Sequence, residues 1–176
     1  MNRIMVLGVS AGVGKSTFAR QQGKILNIDV YHLDYYFWKP NWVQASIEEF
    51  SDSQRKIVAH DQWIIEGNYA PTYDIRAEKA DTIIYLELPL RICLYRVFKR
   101  FFMNVGKSRP DMGEGCKEKI DYEFLKFIWT TYHPRKKKMA ERLRDFQQIG
   151  PHKTVIMLKS KQEIQDFLKE MGKKID

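Results

Sequence analysis

The chain has 176 residues, with 30 Lys+Arg against 22 Asp+Glu, a formal charge of +8, 44% hydrophobic and 30% charged residues. That length suits one domain able to bury roughly 70% of its unfolded surface, so no disulfide or metal staple is required. Cys93 and Cys116 are its two cysteines, which excludes a disulfide-rich secreted scaffold and points to a reduced compartment. No run approaches the ~20 apolar residues of a membrane span. The apolar stretch from Met1 to Val9 is too short for a signal sequence. The expectation is a soluble, cytoplasmic protein with anionic partners: nucleotide phosphates, nucleic acid or an acidic surface.

Ile4 to Leu7 reads as a short buried strand that glycine stops at Gly8. A glycine-rich loop follows, then a helix opening over 16–22, and a second strand over 28–33 that ends at Asp34. Ser46 followed by Glu49 is a capping box, and Ile47, Phe50, Ile57 and Val58 supply the apolar face of a helix over 46–60. Trp63 to Ile65 makes a third strand, ending in Glu66-Gly67-Asn68-Tyr69. Residues 82–88 form the clearest strand, closed by Pro89, and an Arg-rich aromatic helix follows over 90–103. Gly106, Pro110, Gly113 and Gly115 mark 104–117 as a candidate lid. Helices over 118–131 and 135–147, a strand over 154–158, and a last helix capped by Ser160 and Glu163 complete the chain. Five short strands separated by helices require a mostly parallel sheet covered on both faces, in one domain over 1–176.

The strongest motif is Gly8-Val-Ser-Ala-Gly12-Val-Gly14-Lys15-Ser16-Thr17, placed between a strand and a helix. Its glycines let successive backbone amides, those of Gly12, Val13, Gly14, Lys15, Ser16 and Thr17, curve around phosphate oxygens at a helix N-terminus. Lys15 is placed to reach the β- and γ-phosphates of a nucleotide and Ser16 to bind Mg²⁺. The strict spacing would put glycine at position 9, where this chain has Val9, so the loop is one residue longer. A dinucleotide-binding fingerprint has no need for the Lys-Ser-Thr ending.

Asp34, Glu66 and Glu87 each end an apolar run, on the sheet edge that carries the loop. Asp34 is the candidate for positioning or deprotonating an acceptor hydroxyl, and Glu66 for the Mg²⁺ side. Glu87, deeper in its run, reads as a partner for an arginine. Arg96 and Arg100 stand one helical turn apart, and Arg109 lies in the candidate lid, all three placed to neutralise phosphate charge. Tyr35 to Trp38, with Trp42, and Tyr69 after Gly67-Asn68 are either stacking surfaces for a base or core cover. The basic run Arg135 to Lys138 reads either as a solvated helix start or as a nucleic-acid contact.

Across roughly residues 3–170 the chain resembles the adenylate kinase-like P-loop NTPases, and within them the bacterial DNA topology modulation proteins. The resembling segments include Val30-Tyr-His-Leu-Asp34, Phe37-Trp-Lys-Pro40, Trp63 to Tyr69, Arg76 to Asp81, and Arg109-Pro-Asp-Met-Gly-Glu-Gly-Cys116. Pro89, Arg96 and Arg100 also reproduce a strand-ending proline with arginines seven and eleven positions later. The resemblance implies a three-layer α/β sandwich with a mostly parallel five-stranded sheet and a helical lid insertion. It implies ATP and Mg²⁺ as cofactors, Arg96 near the ATP base or its phosphates, and Arg100 at the lid edge. Where adenylate kinases follow Asp-Gly with Phe-Pro-Arg, this chain has Glu66-Gly67-Asn68-Tyr69-Ala70. AMP specificity therefore does not carry over; Arg76 is a substitute candidate for phosphate contact. The expected activity is phosphoryl transfer from ATP to a small hydroxyl- or phosphate-bearing acceptor, with a nucleoside or nucleotide foremost. Two alternatives stay open: a nucleotide-regulated DNA-binding protein, and a non-catalytic ATP-binding interaction module.

Overall fold

Short apolar runs bounded by glycine, proline or an acid build the centre of this molecule. The computed structural model describes residues 1–104, 115–116 and 120–173. Its strands are β1 (Arg3–Gly8), β2 (Val30–His32), β3 (Trp38–Lys39), β4 (Val43–Gln44), β5 (Trp63–Glu66), β6 (Thr82–Leu86) and β7 (Thr154–Leu158). Its helices are α1 (Lys15–Leu26), α2 (Leu33–Phe37), α3 (Ile47–Val58), α4 (Tyr73–Lys79), α5 (Leu90–Asn104), α6 (Tyr122–Gln148) and α7 (Lys161–Lys173).

Five strands form one parallel sheet in the order β2-β5-β1-β6-β7, and β3 and β4 form a separate antiparallel hairpin. In the register of the sheet Met5 lies between Ile65 and Ile83, and all three are fully buried. Burial on both faces explains why Ile4 to Leu7 is continuously apolar rather than alternating. Each such side chain contributes about 1.5–3 kcal/mol of transfer free energy. The flanking helices make this an α/β fold of the expected architecture. Among the described residues no helix is long and apolar enough to cross a membrane.

The capping box forms as read: the Ser46 hydroxyl accepts from the Glu49 amide at 3.1 Å, and the Ser46 amide donates to Glu49 Oε2 at 2.9 Å. Two local readings are corrected, and one helix was not read. The stretch 118–131 and 135–147 is not two helices but one, α6, which runs through Pro134. Proline in a helix interior costs about 3 kcal/mol, and the buried stripe Ile128, Tyr132, Met139, Leu143 and Phe146 outweighs it. Tyr132 adds a hydrogen bond from its hydroxyl to the Leu88 carbonyl at 2.9 Å. The second strand is shorter than 28–33, because Leu33 and Asp34 already belong to α2. Helix α4 has no sequence signature, having no side-chain N-cap. Its carboxyl end is held from far along the chain by Lys153, whose ammonium donates to the Ala77, Glu78 and Ala80 carbonyls at 3.0, 2.8 and 2.6 Å.

Candidate active site

The chain leaves β1 for β2 on one side and later reaches β6 on the other. The carboxyl end of β1 is thus the point where strand order reverses, and open α/β sheets bind ligands there. A cleft of about 1570 Å³ occupies this edge and is lined by residues 11–18 of the glycine-rich loop, Asp34, Glu66, Arg96 and Arg100. These candidates, far apart in sequence, share one edge of the sheet. Arg109, and the candidate lid apart from Asn104, Gly115 and Cys116, lie outside the described residues.

The displaced first glycine has a structural reason. Gly8 is the last residue of β1, and a Cβ there would meet Val13 Cγ1 at 2.5 Å and Lys15 Cγ at 2.9 Å. Val9 extends the ladder, its amide donating to the Leu86 carbonyl at 2.9 Å. Gly14 caps α1 with φ 105°, which turns the amides of α1's first turn toward the cleft. No acid sits in that first turn, so the helix dipole and the free amides favour an anion. Val13 is fully buried, its side chain lying against Gly8.

Gly12 carries the tightest constraint. Its φ is +77°, and a Cβ would stand 2.2 Å from the Cys93 carbonyl oxygen on α5. Gly12→Ala is expected to lose about 1–2 kcal/mol from the left-handed backbone alone, with the collision adding to it. Thermal unfolding checks this: the midpoint should fall by several degrees, and an unchanged midpoint would mean the loop is not seated on Cys93.

Glu66 ends β5 almost fully buried and gathers three groups. The Ser16 hydroxyl donates to its Oε2 at 3.1 Å, His32 Nδ1 lies 3.0 Å from the same oxygen, and Lys15 Nζ is 3.8 Å from Oε1. An ionised carboxylate only accepts, so His32 Nδ1 carries the proton in that contact. A hydroxyl and a carboxylate side by side, next to a loop built for phosphate, suit Mg²⁺, which keeps few protein ligands and completes its octahedron with phosphate oxygens and water. Among the described residues no group of three or more His, Cys, Asp or Glu could hold a metal without such help.

The loop after β5 is clamped from both sides. Asn68 donates from Nδ2 to the Gly8 carbonyl at 2.7 Å and accepts from the Gly8 amide at 3.0 Å, joining the loop to the end of β1. Arg76 does not face phosphate, contrary to its substitute assignment. It is fully buried and donates to the carbonyls of Gly67, Asn68 and Tyr69 at 3.0, 3.2 and 3.2 Å. Burial pushes its guanidinium down to about 9, still charged at neutral pH. Its direction inward follows from α4, which the sequence did not reveal.

Asp34 lies in the first turn of α2, and the Tyr69 hydroxyl donates to its Oδ1 at 2.7 Å. Burial first, then the charge and hydrogen bond of Asp34, push the Tyr69 phenol far up, so it stays a donor. Phe37 and Phe50 pack against the Tyr69 ring with centroids 4.8 and 4.9 Å away. Trp38 and Trp42 line the same cleft, 5.3 Å apart. Arg96 donates to the Val13 carbonyl at 2.8 Å and so braces the glycine-rich loop. Lys15, Arg96, Arg100, Arg135, Lys138 and Arg142 all line the cleft, concentrating there much of the chain's positive charge. Among the described residues Glu87 pairs with Lys136 at 2.9 Å, a lysine in place of the expected arginine. His32 and Asn68 are site residues to which the sequence gave no role in the site, and Tyr69, read as a stacking surface or core cover, is instead a hydrogen-bond donor to Asp34. The Trp63 to Tyr69 segment was the signal that held two of them.

No family model matches the chain, and no curated protein matches its sequence. Solved structures do share its fold. A shikimate kinase from Bacteroides thetaiotaomicron is 16% identical with a TM-score of 0.56, over 99% of this chain and 98% of that one. A shikimate kinase from Acinetobacter baumannii in complex with shikimate is 13% identical, TM-score 0.52, covering 99% and 93%. A gluconokinase from Sinorhizobium meliloti is 13% identical, TM-score 0.53, covering 99% and 91%. The fold is therefore the parallel α/β architecture that these small-molecule kinases share.

Proposed function

We propose that this chain is an ATP- and Mg²⁺-dependent phosphotransferase acting on a small hydroxyl- or phosphate-bearing acceptor, with nucleosides and nucleotides foremost. The observation that carries the reading is the placement of Lys15, Ser16 and Glu66 at one end of the cleft and Asp34 within the same cleft. The amides from Gly12 to Thr17 and the Lys15 ammonium hold the phosphates. Ser16 and Glu66 hold Mg²⁺, which when bound neutralises charge on the β- and γ-phosphoryl oxygens. Asp34 orients the acceptor hydroxyl and takes its proton, while Arg96, Arg100 and, by sequence, Arg109 offset phosphate charge. The kinase-like neighbours support this class of reaction. The narrower kinship with DNA topology modulation proteins rests on the sequence motifs, and any effect on DNA is read as indirect. Cys93 and Cys116, both free thiols, support a cytoplasmic location.

The test is transfer of label from γ-labelled ATP with Mg²⁺ across pools of nucleosides, nucleoside monophosphates and small metabolites. A labelled product is expected, with the rate about a hundredfold lower in Lys15→Ala, the scale of losing one preorganised charge-stabilising donor. ATP binding with only slow hydrolysis in every pool would overturn the kinase reading. Steeply salt-dependent DNA binding by that same protein would favour the nucleotide-regulated alternative.

A further inference from the structure

We propose that Tyr69 is a positioning residue for acceptor activation: its hydroxyl sets the orientation of the Asp34 carboxylate, and buried Arg76 behind it holds Tyr69 in place. This rests on the phosphotransferase reading given above. In the step concerned, the acceptor O–H bond breaks and its proton passes to Asp34. The acceptor oxygen bonds to the γ-phosphorus of ATP, and the bond from that phosphorus to the departing ADP oxygen breaks.

Three independent observations converge on Tyr69. First, its hydroxyl contacts Asp34 at 2.7 Å, the length of a charge-assisted hydrogen bond. Asp34 sits at the start of a five-residue helix, and this donor on Oδ1 restricts the rotation of its carboxylate. Second, the ring has little freedom to move: Phe37 and Phe50 pack on it at 4.8 and 4.9 Å, Phe50 from the core. Third, its backbone is strained, with φ 21° and ψ 82°. A conformation so sparsely populated persists only where the surroundings over-determine it, and such strain gathers at functional sites. Here the surroundings are explicit. Arg76 is wholly buried and donates to three successive carbonyls, 67 to 69, with the Tyr69 carbonyl at 3.2 Å.

The same loop reaches the nucleotide side. Asn68, between two of the clamped carbonyls, makes a two-point contact with the Gly8 backbone, where the glycine-rich loop begins. Glu66, one residue before the clamp, faces Ser16. One buried guanidinium thus ties the proton-accepting carboxylate and the phosphate-holding loop into a single rigid piece. In-line transfer needs the acceptor oxygen and the γ-phosphorus held in near-attack register, and a short loop spanning both halves supplies it.

The test is a double-mutant cycle on transfer rate with Tyr69→Phe and Asp34→Asn, using the acceptor found in the label screen. Phenylalanine keeps the ring packing and removes only the hydroxyl. Tyr69→Phe should lower kcat roughly tenfold to a hundredfold, the scale of one hydrogen bond to a charged group. KM for ATP should stay at its wild-type value, and the thermal midpoint should fall by no more than the several degrees of one lost hydrogen bond. In the Asp34→Asn background the same change should have no further effect, because there is no base left to orient. Arg76→Lys, which keeps the charge but not the three-carbonyl fork, should lose kcat partly through Asp34 and should also raise KM for ATP, because Asn68 then loses its alignment on Gly8. Equal losses from Tyr69→Phe with and without Asp34, or an unchanged kcat in Tyr69→Phe, would overturn the proposal while product formation upholds the phosphotransferase reading. No product from the wild-type protein with any acceptor would overturn both.

Discussion

Arg76→Met is expected to lower the unfolding free energy by about 3–5 kcal/mol, seen as a fall in the urea midpoint. The arginine contributes charged donors to three carbonyls in a place without solvent, and each buried acceptor left unpaired costs about 1–3 kcal/mol. Methionine offsets part of the sum. It fills similar volume, removes the cost of burying a cation, and deletes the Nε–H, which has no acceptor among the described residues. Natural domains hold about 5–15 kcal/mol in total, so this one change consumes a large fraction. The damage should also be local: released carbonyls let residues 67–69 relax, and Asn68 then loses its alignment on Gly8. A variant as stable as wild type would show that the guanidinium contributes no net stability in that place.

Asp34→Asn is expected to lower kcat for transfer by about 10²–10⁴, the usual contribution of a positioned general base. The change is close to isosteric. The asparagine carbonyl can still accept from the Tyr69 hydroxyl, so the fold and the α2 helix should survive. ATP affinity should also survive, since the amides of the glycine-rich loop and Lys15 are untouched. The expected pattern is therefore a loss in kcat with KM for ATP unchanged, measured by initial rates over a range of ATP concentrations. An Asp34→Asn protein that keeps most of its rate would remove Asp34 from the chemistry, and the base would have to be sought elsewhere in the cleft.

Much of this molecule is legible locally. The glycine-rich loop shows in sequence because amides can curve around an anion only with glycines at particular steps, and Lys15 and Ser16 follow at fixed distance. Strands β1, β5 and β6 show because a parallel sheet buried on both faces demands unbroken apolar runs. Asp34 and Glu66 show because acids directly after such runs fall at the carboxyl edge. The capping box of α3 is local by nature. Each of these features depends on residues within a few positions of one another.

What no local pattern states is which strand lies beside which. The order β2-β5-β1 puts the end of β5 between the ends of β2 and β1, and that neighbourhood creates the site's long-range contacts. Glu66 meets His32 from β2 and Ser16 from the start of α1, Asn68 meets Gly8, and Tyr69 meets Asp34. Arg76 was a candidate phosphate contact only because the chain lacks the arginine that adenylate kinases carry after Asp-Gly. Only the packing of α4 turns it inward, where unpaired carbonyls make an internal cation favourable. Pro134 looked like a helix end because its local penalty is plain in sequence, whereas the buried stripe that outweighs it is a property of the sheet beneath α6. The sequence alone thus carried the residues of the proposed phosphate loop, which are set by spacing along the chain. The tertiary structure decided how that chemistry is held in register, because contacts across 35 to 60 residues follow from strand order and burial.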